Sequence, residues 1–183
     1  MSRAQPRPSL ARASLSAPGD PGTPCILVYG RLSASTSLYF DGLPGEIAER
    51  LRFLEPGDLF SDLPWLAAAG LVIIVRGFEF MIATGAIDLL EEIDTPMVWF
   101  TDDDLVALSG EIGSLGYYSS DVVAAFARRM SAIGVTSANL AETLARHHKN
   151  VVQFNCVLDA DLWAGRPVQP AVPARAGAFG GPF

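Results

Sequence analysis

Asp102, Asp103 and Asp104 stand in succession directly after the apolar run Pro96-Met-Val-Trp-Phe-Thr101. Three adjacent carboxylates repel one another, which costs stability and tends to raise at least one pKa. A carboxylate raised in this way can take a proton from a sugar hydroxyl near neutral pH, and carboxylates also make paired hydrogen bonds to vicinal hydroxyls. Asp103 and Asp102 are therefore the candidate catalytic groups and Asp104 a candidate substrate ligand. A plainer use of the triplet is a solvated loop that caps the segment from Leu105 to Leu108. Arg76 follows an apolar run in the same manner. Its guanidinium could hold a phosphate or carboxylate through two parallel hydrogen bonds, or form an ion pair with the triplet, and both uses stay open.

Other polar residues follow apolar runs. Ser35 and Thr36, within Ser33-Ala-Ser-Thr-Ser37, come after Cys25-Ile-Leu-Val-Tyr29-Gly30, and Asn155 comes after Val151-Val-Gln-Phe154. All three are candidate substrate ligands. Thr136 and Ser137 occupy the equivalent place after Ile133-Gly-Val. The pair His147-His148 sits beside Lys149 where a helix should end, a position that suits cations. Cys156 has no histidine expected nearby to activate it and reads as a small buried residue. The glycine-rich stretch from Gly177 to Gly181 lacks the strand before and the helix after that a phosphate loop requires.

The elements that must position these groups follow from periodicity. Strands are expected near 26–29, 71–75, 97–101, 133–136 and 151–154, apolar on both faces, as in a parallel sheet covered on both sides. Between the second and third, Ile82, Ala86, Leu89, Leu90 and Ile93 repeat at helical spacing. Ser119 or Ser120 can cap a helix carrying Val122, Val123, Phe126 and Met130, and Thr136 or Ser137 one carrying Leu140, Ala141 and Leu144. Strand and helix in alternation imply right-handed crossovers and a Rossmann-like, doubly wound α/β domain. In such a sheet ligands bind beyond the carboxyl ends of the strands, the edge on which the polar groups that follow the strands should lie.

Composition narrows the partners. The chain has 183 residues, half of them hydrophobic, and a net charge of −7. Residues 41–121 carry sixteen carboxylates against three arginines, and the chain has one lysine, which argues against nucleic acid or a polybasic membrane contact. Two histidines and two cysteines leave little for a structural zinc site, and no metal or cofactor is expected. The longest uncharged apolar-rich run, Leu63 to Val75, is shorter than the roughly 20 residues of a membrane span. Residues 1–24 lack the compact apolar run of a secretory signal, although their Arg, Ser and Ala content faintly resembles a transit peptide. Cytoplasmic placement is the expectation. Proline concentrates in 1–24 and 165–183, so a tail over 1–24, a folded domain over 25–163 and a Pro/Gly-rich linker or tail over 164–183 are expected.

The order of these features resembles a known family. Ser33-Ala-Ser-Thr-Ser-Leu-Tyr39, Val72-Ile-Ile-Val-Arg76-Gly-Phe78, Pro96-Met-Val-Trp-Phe-Thr-Asp-Asp-Asp-Leu105, Gly134-Val-Thr-Ser-Ala-Asn-Leu140 and Asn150-Val-Val-Gln-Phe-Asn155, with Asp159 and Trp163, are similar to the N-terminal half of GT-B glycosyltransferases. The stretch before the linker differs, reading Val-Gln-Phe-Asn155-Cys156 where the family usually has Val-Leu-Pro-Asn. The resemblance implies one domain of a two-domain arrangement, forming the acceptor side of an interdomain cleft. A sugar or glycan would be the acceptor, and a nucleotide-sugar donor would be held mainly by a C-terminal domain that residues 25–163 do not include. Two other readings stand beside it. Asp102-x-Asp104 resembles the motif of metal-dependent, single-domain nucleotide-sugar transferases, and a non-catalytic half-domain could bind a partner chain.

Overall fold

The computed structural model describes residues 25–31, 36, 39–40, 43, 45–57, 59–113 and 116–154. Within them a single sheet of six parallel strands runs β1 (Cys25–Gly30), β2 (Leu51–Leu54), β3 (Ala69–Val75), β4 (Met97–Thr101), β5 (Ala132–Val135) and β6 (Val151–Gln153). Their order across the sheet is β2-β1-β3-β4-β5-β6. The chain therefore reverses direction at β1 and then adds every later strand on the same side. Seven helices connect the strands among the described residues: α1 (Gly45–Ala48), α2 (Leu59–Ala68), α3 (Glu79–Ala83), α4 (Ala86–Glu92), α5 (Leu105–Glu111), α6 (Ser120–Ala127) and α7 (Ala138–Leu144). The expected α/β doubly wound class is what the chain adopts.

Five strands lie where the apolar runs place them. The sixth, β2, was not expected, because Arg52 interrupts its apolar pattern. Arg52 lies at the sheet edge and turns its guanidinium back onto the carbonyls of Glu49 and Leu51, at 2.8 and 2.7 Å. The run from Leu63 to Val75 divides between α2 and β3. No helix of the described residues is long and apolar enough to cross a membrane.

The crossovers put the two faces of the sheet to different use. Strands advancing one way by right-handed connections keep their helices on one face. Trp65 and Leu66 of α2, Met81 of α3, Ile87 and Leu90 of α4, Leu105 of α5, Phe126 of α6 and Leu140 and Leu144 of α7 all enter one core with Leu27, Ile74, Trp99 and Ile133. The opposite face buries Val28, Val75 and Phe100 under Phe40, with Tyr39 and Leu43 alongside, all from the β1–β2 connection. Helix α4 is tied to the end of α6 by Arg129, which bonds Glu91 and Asp88.

The helix expected between β3 and β4 is two helices. Thr84 donates its hydroxyl to the Phe80 carbonyl at 2.7 Å, and Gly85 adopts a left-handed φ of 73° that ends one turn and starts the next. The break rotates the second helix, so the apolar stripe reads Met81, Ala86, Ile87 and Leu90, while Ile82 and Ile93 face solvent. The caps fall as the sequence suggests. Ser119 accepts from the Val122 N–H and Ser137 from the Leu140 N–H.

Candidate functional site

The carboxyl edge of the sheet begins at its seam of closest approach. Gly30 and Val75 face each other at the ends of β1 and β3. A side chain at Gly30 would bring its Cβ to 2.7 Å from the Val75 carbonyl oxygen, so only glycine lets the strands meet there. The residue that follows β3 is Arg76, which holds a left-handed φ of 61°. For a residue with a side chain that conformation costs on the order of 1 kcal/mol. It persists because β4 grips the backbone on both sides: the Arg76 N–H donates to the Phe100 carbonyl at 2.8 Å and the Trp99 indole N–H donates to the Arg76 carbonyl at 2.7 Å.

The turn aims the guanidinium at the acidic triplet. Nε donates to Asp102 Oδ1 and Nη2 to Asp102 Oδ2, each at 2.7 Å, while Asp103 Oδ2 lies 3.6 Å from Nη2. The paired hydrogen bonds to Asp102 push the guanidinium above its ordinary pKa, against the opposing effect of burial. Of the two uses the sequence leaves open for Arg76, the ion pair is thus present.

The three acids have different surroundings. The Asp102 side chain is only 13% exposed and gives both oxygens to Arg76. Asp103 is 42% exposed, and its backbone is fixed by Thr101. The Thr101 hydroxyl donates to the Asp103 carbonyl at 2.8 Å and accepts from the Asp103 N–H at 3.3 Å. Asp104 caps α5, accepting from the Ala107 N–H at 3.0 Å. Part of the plainer reading therefore also holds, since one member of the triplet does start a helix. Among the described residues no three carboxylate, imidazole or thiol groups converge as metal ligands would.

Beside the triplet lies an open depression of about 160 Å³, lined by Asp102, Asp104, Ser137, Asn139, Leu140 and Thr143. Arg76 and Asp103 stand next to it rather than in its lining. Asn139 and Thr143 are one helical turn apart on α7, so both present to the end of β4, and Thr143 donates to the Asn139 carbonyl at 3.0 Å. Their spacing behind the cap Ser137 was the available signal. Both residues lie inside a helix, away from the strand ends where the other polar groups stand. Thr36 is buried, at 1% exposure, and does not line the depression. Ser35 and Asn155 lie outside the described residues.

A further polar pair was missed. The Tyr29 hydroxyl donates to Asp62 Oδ2 at 2.6 Å, and the Gly57 N–H donates to the same oxygen at 3.0 Å. Burial, then the bond to Asp62, pushes the Tyr29 phenol above its usual range. Asp62 is 4% exposed. This pair anchors α2 to β1 and is out of a ligand's reach. Its signal was the tyrosine in an otherwise aliphatic strand.

Compared with family models, with curated proteins and with solved structures, the chain finds no match, and the chemistry of the site is carried by its own geometry.

Proposed function

We propose that this domain binds a sugar or glycan acceptor at its carboxyl edge, as the acceptor half of a glycosyl-transfer system of the GT-B type. The observation that carries the reading is the division of labour in the triplet. Asp102 is held by Arg76, Asp104 is held by α5, and Asp103 is left open to solvent between them. Beside it, Ser137, Asn139 and Thr143 offer hydroxyl and amide groups that can both donate and accept, the pattern that recognises a polyhydroxylated ligand. The order of residue motifs along the chain supports the same reading.

In this mechanism the acceptor hydroxyl lies against Asp103. As its oxygen bonds to the anomeric carbon of the donor sugar, the bond from that carbon to the nucleotide phosphate breaks, and the hydroxyl proton passes to the Asp103 carboxylate. Arg76 holds Asp102 in place through two hydrogen bonds, and so fixes the strand end from which Asp103 projects. The donor nucleotide belongs to a second domain.

Saturation-transfer NMR with glucose, galactose, mannose, N-acetylglucosamine and their disaccharides tests this reading on the full chain. At least one saccharide should bind, and Asp103→Asn should weaken it while thermal unfolding is unchanged. No binding from the whole panel, or binding indifferent to Asp103→Asn, overturns the proposal.

A further inference from the structure

A second polar and aromatic constellation occupies the same edge, starting one residue after Arg76. Glu79 Oε2 accepts a hydrogen bond from the Tyr118 hydroxyl. The pair bridges directly over Gly77, where an added Cβ would fall 2.6 Å from the Tyr118 oxygen and 2.7 Å from Glu79 Oε2. Burial, then the bond to Glu79, pushes the Tyr118 phenol above its usual range, so it remains a donor. Glu79 itself faces solvent, and its other carboxylate oxygen has no hydrogen bond among the described residues.

Next to this pair stands Tyr117, 43% exposed. Its ring lies 6.2 Å from Phe78 and 5.4 Å from Tyr118. The ring is backed by rigid aromatic packing. Phe78 stacks on Phe126 with centroids 3.8 Å apart and meets Trp99 edge-on at 5.4 Å. Trp99 in turn donates to the Arg76 carbonyl. A surface aromatic held this firmly loses little freedom when a ligand covers it.

Taken with the acceptor reading of Asp103, on which it rests, we infer that Tyr117 and Glu79 form a second sugar subsite contiguous with the first. The C–H face of a pyranose ring would stack on the Tyr117 ring while Glu79 accepts from one of its hydroxyls. Two residues separate Glu79 from Arg76, whose guanidinium bonds Asp102 beside Asp103, so at most about 11 Å of chain links the two subsites. The acceptor that fits both is at least a disaccharide. Gly77 is then a fitting residue, since a side chain there would displace the Tyr118–Glu79 pair.

The test uses the full chain and the saccharide that binds in the panel above, offered as monosaccharide and as disaccharide. The wild type should bind the disaccharide more tightly, and Tyr117→Ala should lose about three- to tenfold of disaccharide affinity, the range of one aromatic stacking contact. Tyr117→Ala should leave the monosaccharide untouched, and Tyr117→Phe should keep the disaccharide affinity. Glu79→Gln should also weaken the disaccharide alone. Disaccharide binding that Asp103→Asn weakens and Tyr117→Ala does not would overturn this inference and leave the acceptor site standing. Absence of saccharide binding by the wild type would instead overturn the acceptor reading and this inference with it.

Discussion

Replacing Asp102 by Asn should destabilise the domain by about 2 kcal/mol, and the structure explains both the size and the limit. Two hydrogen bonds of 2.7 Å join Asp102 to Arg76. A hydrogen bond to a charged group contributes about 1.5–3 kcal/mol net, and Asn retains one acceptor while turning an N–H against the second guanidinium N–H. Removing one member of a fully buried pair costs about 3–5 kcal/mol. That ceiling is not reached, because the Arg76 side chain is 32% exposed and Asp103 lies 3.6 Å from Nη2. For a domain of this size a 2 kcal/mol loss lowers the melting temperature by about 6–10 °C. Urea unfolding followed by tryptophan emission is the assay, since Trp99 is buried and bonded to the Arg76 carbonyl. The cycle with Arg76→Gly sharpens it. Each single variant breaks the same two hydrogen bonds, so the double variant should be less destabilised than the sum of the two singles. The roughly 1 kcal/mol of strain that glycine relieves at φ 61° is common to Arg76→Gly and the double variant and cancels. An Asp102→Asn loss below about 0.5 kcal/mol, or strict additivity in the cycle, would refute the reasoning, since surface pairs of little consequence behave that way.

Two further predictions concern the frame. Gly30→Ala should cost about 2–3 kcal/mol in urea unfolding, because the new methyl meets the Val75 carbonyl. Gly110→Ala, at an exposed position of α5 with nothing near its Cβ, should instead stabilise by about 0.5–1 kcal/mol. The Tyr29 phenol has a folded-state pKa raised above its unfolded value near 10, so its contribution is fully present below pH 10 and is lost as the pH rises beyond it. Stability should therefore fall above pH 10, and Tyr29→Phe should flatten that fall while losing about 1–3 kcal/mol at pH 7 through the weakened partnering of Asp62; an unchanged alkaline slope in Tyr29→Phe would assign the fall to other groups.

The parts of the fold legible in the sequence are those that a single run of residues determines. Leu71 to Val75 and Met97 to Thr101 are apolar on both faces, so they announce buried parallel strands wherever they pair. Ser119 and Ser137 announce helix starts because a cap acts on its own next turn. Leu51 to Leu54 was missed because an edge strand tolerates Arg52 and so carries no continuous apolar signature. The break at Thr84 and Gly85 was missed because Ile82 and Ile93 keep helical spacing across it. At the site, the convergence of polar residues on one edge follows from parallel strands alone. The fork between Arg76 and Asp102 joins residues 26 apart and depends on a left-handed turn at an arginine, which local propensity disfavours. Asn139 and Thr143 reach the site only through the packing of α7 on β5 and β6, which brings them beside Asp102 and Asp104.

Because every strand after β3 is laid down next to the one before it, that side of the sheet can assemble by accretion. The pairings of β3 with β4, β4 with β5 and β5 with β6 each close a loop to the immediately preceding strand. Such contacts have low sequence separation and can form early at small entropic cost. The seam of β1 with β3 is different. It must wait until β2 and α2 have been bypassed, and it is where Gly30 and Val75 come closest. The longest loop closure in the sheet is thereby placed at the reversal point, while Arg76, one residue past that seam, takes its left-handed turn from β4 on the other side.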